Sequence, residues 1–105
     1  MSWKVSMPES QVMARLRHEI LTVLYKIYPR VLTHPQLVAE VQVPFLTRDK
    51  QWLQDAVKEQ IQVLQQASLL RPSQGGYTLT DRGRMDRQQA ARFLSKKINP
   101  PNDAA

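Results

Sequence analysis

The chain has 105 residues, 42% of them hydrophobic, no cysteine, and a formal net charge of +6 at pH 7. That length and apolar content suit one small domain with a single core, and the missing cysteines exclude disulfides, thiol nucleophiles and cysteine-based zinc sites. The positive balance favours polyanionic partners through phosphate neutralisation and counterion release, although such a charge also serves solubility alone.

The segment from Met1 to Pro8 lacks the apolar run of a secretory leader. No window approaches the ~20 apolar residues that span a bilayer, so a soluble cytoplasmic protein with no membrane contact is expected. One domain over residues 1–98 is expected, followed by a tail at 99–105, where Pro100 and Pro101 break any helix.

Pro8-Glu9-Ser10 opens a first helix, with proline and an acid where the positive helix end favours them. Val12, Leu16, Ile20, Leu24 and Ile27 recur at helical spacing, and Met13, Leu21 and Val23 widen the stripe. A stripe that broad serves a core and a dimer contact alike. Pro29 stops the helix. Thr33 is an N-cap for a short second helix carrying Pro35 in its first turn, with Leu37, Val38 and Val41 facing inward and Pro44 closing it.

Phe45 and Leu46 read as buried residues of the next connection, and Thr47 as the cap of a long third helix from about Arg48 to Leu70. Leu53, Val57, Ile61 and Leu64 line one side of it, flanked by Trp52, Ala56, Gln60 and Ala67. Gln51, Gln54, Asp55, Lys58, Gln62 and Gln65 take the other side. A hairpin follows: Leu69-Leu70-Arg71 and Tyr77-Thr78-Leu79 are the strands, and Gly75-Gly76 supply the positive φ angles of a tight turn. Thr80-Asp81 starts a last helix with a looser apolar pattern of Ala90, Ala91, Leu94 and Ile98, and Phe93 at its edge.

From Leu64 to Met85 the residues Leu64, Leu69, Leu70, Gly75, Gly76, Tyr77, Leu79, Thr80 and Gly83 resemble the hairpin region of MarR- and PadR-type winged-helix regulators. The resemblance is close over about a fifth of the chain and loose elsewhere, by order of elements. It implies a mainly α fold with a small β-hairpin, a winged helix-turn-helix of three helices, a wing at about 71–79 and a C-terminal helix. By the same resemblance the chain is a dimeric regulator of transcription that binds double-stranded DNA and pairs through its first and last helices. These matching residues make the fold rather than any activity.

On DNA, the third helix would enter the major groove with its N-terminal half foremost. Arg48 and Lys50 are candidates for phosphate or guanine, Gln51 and Gln54 for the N6 and N7 edge of adenine, and Lys58 for phosphate. Arg71, Ser73 and Gln74 would represent the wing, and Arg82 and Arg84 a phosphate-tracking surface at its base. The alternative is a protein–protein adaptor with no DNA readout. It suits the long third helix, the uncharged wing tip and the apolar Phe45-Leu46 connection, while Asp55 and Glu59 stand near where phosphates would lie.

Catalysis finds little footing. His18 and His34 lack a second ligand at metal spacing, no serine sits in a nucleophile elbow, and Gly75-Gly76 lacks the lysine of a phosphate loop. No enzyme activity, metal or cofactor is expected.

Overall fold

The computed structural model describes the backbone of residues 9–98 and the side chains of residues 9–92. In chain order the elements are α1 (Glu9–Ile27), α2 (His34–Val41), one 3₁₀ turn (Val43–Phe45), α3 (Lys50–Gln66), β1 (Leu70–Ser73), β2 (Gly76–Leu79) and α4 (Asp81–Ile98). The chain is mainly helical with one two-stranded antiparallel hairpin, in the order expected. The tail at 99–105 and the side chains of Phe93, Leu94 and Ile98 lie outside the described residues. None of the described helices is long and apolar enough to cross a membrane.

Val12, Leu16, Ile20, Leu21 and Leu24 of α1 are buried, and Met13, Val23, Tyr25 and Ile27 pack partly against the same core. The chain's own core therefore absorbs the wide stripe that had suggested a dimer contact. α1 ends at Ile27, two residues before Pro29. Thr33 caps α2 reciprocally: its Oγ1 accepts from Gln36 N at 3.4 Å, and Gln36 Oε1 accepts from Thr33 N at 2.9 Å. Leu37, Val38 and Val41 are buried as their spacing requires.

The connection to α3 differs from expectation. Pro44 does not simply close α2 but sits inside the 3₁₀ turn, where Phe45 N donates to Gln42 O at 2.8 Å. The turn points Phe45 into the core at 6% exposure and Leu46 outward at 70%, so Leu46 is not a buried residue. Thr47 does not cap the third helix. Asp49 does, its Oδ2 accepting from Trp52 N at 3.2 Å, and α3 begins at Lys50 rather than Arg48.

α3 also stops four residues short of Leu70. Leu69 N donates to Leu64 O at 2.9 Å and Ser68 N to Gln65 O at 3.0 Å, with Ser68 in the left-handed region at φ 64°. This is a Schellman ending, with serine where glycine is usual. Ala67, placed beside the apolar stripe by spacing, is exposed because the chain has already left the helix.

The hairpin pairs Leu70 with Leu79 and Ser73 with Gly76, so its two turn residues are Gln74 and Gly75, at φ 51° and 79°. Two consecutive left-handed residues match the twist of a tight hairpin. Gly76 is thus a strand residue and not part of the turn. It is needed for a different reason: a Cβ there would stand 2.6 Å from Leu32 O. Leu32 meets β2 as an isolated bridge, with Leu32 N donating to Tyr77 O at 3.2 Å and Tyr77 N to Leu32 O at 2.8 Å.

Thr80 opens α4 as expected, its Oγ1 accepting from Gly83 N at 3.0 Å and donating to Ser68 O. A Cβ on Gly83 would collide with Leu69 O. α1, α2 and α3 pack pairwise around Leu16, Ile20, Leu24, Leu37, Val41 and Val57, and α4 lies against α1 and β2. Ala91, expected to face inward, is exposed.

Candidate nucleic-acid interface

Burial of Leu53, Ala56, Val57, Gln60, Ile61 and Leu64 turns Gln51, Asp55, Lys58, Glu59 and Gln62 of α3 outward. Gln51 Nε2 donates to Asp55 Oδ1 one turn further on, at 3.1 Å. Lys50 and Lys58 are exposed. Gln54 is half-buried and, with Lys50, borders a shallow groove against Pro35, Val38, Ala39 and Gln42 of the second helix and its end. Its backbone carbonyl accepts from His34 Nε2 at 2.9 Å, and because a carbonyl only accepts, that nitrogen carries a hydrogen.

Arg48 does not project freely from the start of α3. Its guanidinium lies 4.6 Å from the centroid of the Trp52 ring, and its Nη1 is 3.9 Å from Glu9 Oε1. Trp52 in turn packs beside Phe45, their ring centroids 6.3 Å apart. Across residues 48–66 the cations Arg48, Lys50 and Lys58 are matched by Asp49, Asp55 and Glu59, a net charge of zero.

Ser73 and Gln74 sit at the tip of the hairpin, Ser73 half-buried and Gln74 exposed. The tip is fixed next to the start of α2, because Gly76 lies against Leu32 and the Thr33 backbone. Thr33 caps α2, and His34 reaches across to Gln54. A chain of short contacts thus joins the hairpin tip, the first turn of α2 and the N-terminal half of α3. Lys50 and Gln54 of α3 border one groove with the second helix.

Arg82 and Arg84 are on the first turn of α4. Arg82 borders a groove with Ala67, Leu69, Asp86 and Gln89, at the far end of α3. At a rise of about 1.5 Å per residue, Gln51 and Ala67 lie ~24 Å apart along the helix. Arg84 stacks over Tyr28 with its Cζ 4.5 Å from the ring centroid, and its Nη1 is 3.6 Å from Asp81 Oδ1. Arg71 is exposed on β1 opposite Thr78. From 71 to 98 there are seven cations (Arg71, Arg82, Arg84, Arg87, Arg92, Lys96, Lys97) and two acids (Asp81, Asp86), which leaves +5 of the chain's +6. The excess positive charge is therefore carried by the hairpin and α4 stretch of the sequence and not by α3.

Two arrangements went unread in the sequence. Gln60 is 3% exposed, its Oε1 accepts from Arg17 Nη1 at 2.8 Å, and its Nε2 lies 3.5 Å from Met13 Sδ. Its place beside Val57 and Leu64 on the apolar side was the available signal. His18 Nδ1 contacts Arg87 Nη1 at 3.0 Å, and Arg87 also binds Asp86 Oδ2 at 2.8 Å, so this histidine joins α1 to α4. Among the described residues no group of three or more His, Asp or Glu is placed to hold a metal ion. No family model, no curated protein and no solved structure matches the chain.

Proposed function

We propose that this chain is a winged helix-turn-helix protein that binds double-stranded DNA and regulates transcription, with α3 in the major groove and the hairpin as its wing. The single observation that supports this reading is the run of contacts tying the hairpin to the start of α2 and α2 to α3, through Leu32–Tyr77 and His34–Gln54, with Gln51 and Lys58 outward on α3. Gln51 and Gln54 offer amides to base edges, and Lys50, Lys58 and Arg71 offer charge to phosphates. Pairing of two copies through α1 and α4 would set two half-sites. Its support is the shallow trough between those helices, bordered by Thr22, Tyr25, Ala90 and Ala91 and flanked by the His18–Arg87 contact.

Salt titration tests the proposal. With about three phosphates neutralised, log K should fall with log[salt] at a slope near −2.7, roughly a six-fold loss per doubling of salt. Fluorescence polarisation on random duplexes at two ionic strengths, with a mass measurement of the complex, reads both slope and stoichiometry. An absence of binding, or binding indifferent to salt, overturns the reading.

A second reading, a protein–protein adaptor, has its own observation: Val43 and Leu46 are 68% and 70% exposed on the α2–α3 connection. Leu46→Gln should leave DNA binding unchanged if DNA is the partner. A drop in DNA affinity on this substitution would contradict that assignment of surfaces.

A further inference from the structure

Asp55 occupies the middle of the outward face of α3, where a phosphate-lined groove would repel it. The sequence offers it as a liability, and the structure gives it an orientation. Gln51 Nε2 donates to Asp55 Oδ1 at 3.1 Å, which holds the carboxylate along the helix and leaves Oδ2 without a partner among the described residues. No cation is within ion-pair distance of it there, although Lys58 is three residues away. The pair thus presents acceptors: the second carboxylate oxygen and the Gln51 carbonyl, with one amide hydrogen to spare.

In the major groove the only donors on base edges are the exocyclic amino groups, N4 of cytosine and N6 of adenine, while guanine O6 and N7 and thymine O4 are acceptors. A carboxylate aimed at an acceptor is repelled, and one aimed at an amino group is satisfied. We propose that Asp55, oriented by Gln51, is a specificity-determining residue that selects a base with an amino group on its major-groove edge, cytosine or adenine, at one position of the site and rejects guanine and thymine there. This rests on the DNA-binding reading above. It also accounts for the neutral charge of α3: Asp55 lowers affinity for every wrong sequence, so discrimination comes from repulsion as much as from attraction.

The test uses the full chain. Duplexes selected from a random pool by the wild-type protein are resynthesised with single amino groups deleted, pyrimidin-2-one replacing cytosine or purine replacing adenine. One deletion should weaken wild-type binding about ten-fold. Asp55→Ala should bind random duplex more tightly than wild type, for loss of a repelling charge, and should lose its sensitivity to that deletion. Asp55→Asn removes the charge with little change of shape, and should also bind random duplex more tightly. Circular dichroism confirms that both variants are folded. If Asp55→Ala keeps the wild-type base preference, or no single amino deletion matters, the inference is wrong while DNA binding stands. If no duplex binds at all, both fail together.

Discussion

The adjacent glycines of the hairpin should respond oppositely to substitution. A Cβ on Gly76 would sit 2.6 Å from Leu32 O and 2.8 Å from Leu32 C, both backbone atoms, so the strand must move. Movement breaks the two hydrogen bonds joining Leu32 to Tyr77, each contributing about 0.5–1.5 kcal/mol net. Gly76→Ala should therefore cost about 1–3 kcal/mol, and at ~4–8 °C per kcal/mol for a domain of this size the melting temperature should fall by several degrees or more. Gly75 has nothing within 4 Å of the added atom and only its φ of 79° to satisfy, a conformation asparagine tolerates. Gly75→Asn should change stability by less than about 0.5 kcal/mol. Thermal and urea denaturation of the two variants reads the contrast. Equal effects, or a Gly75 variant worse than the Gly76 variant, would refute the argument that close approach rather than turn geometry demands Gly76.

Ser68→Gly should stabilise the protein by about 0.5–1 kcal/mol, because glycine avoids the ~1–2 kcal/mol strain of a left-handed residue at the end of α3 and gives back part in chain entropy. A lower urea midpoint would contradict this. Thr78 is 3% exposed and its hydroxyl has no hydrogen-bond partner among the described residues, so Thr78→Val, with the same shape, should raise stability by about 1 kcal/mol. An unchanged or lower melting temperature would show that the hydroxyl is satisfied.

Much of the fold was legible where a residue's job is local. Thr33 with Gln36 announces a helix start, Pro29 forbids continuation, and the apolar spacing of α1 and α3 fixes which side is buried. Legibility failed where the outcome depends on distant neighbours. Thr47 and Asp49 are both plausible caps, and the 3₁₀ turn at Val43–Phe45 decides between them by delaying the start of α3. Both glycines of the hairpin look like turn residues until Leu32 is found against one of them. The site was half legible. Spacing put Gln51 and Lys58 on the outward side of α3, but it did not reveal that Arg48 is held over Trp52 or Arg84 over Tyr28. Those ring contacts join residues far apart in sequence or in different elements, and no local pattern announces them.

The attachment of the hairpin has a practical consequence. Its root is clamped by Thr80 to Ser68 and by Thr80 N to Leu69 O, and a second clamp at Leu32 holds it partway along. The Ser73–Gly76 pair and the turn residues Gln74 and Gly75 extend past both clamps, like the overhanging end of a doubly supported beam. Extra residues spliced between Gln74 and Gly75 should lengthen the arm without disturbing the helices, which makes this spot the natural place to graft a basic peptide or an affinity tag.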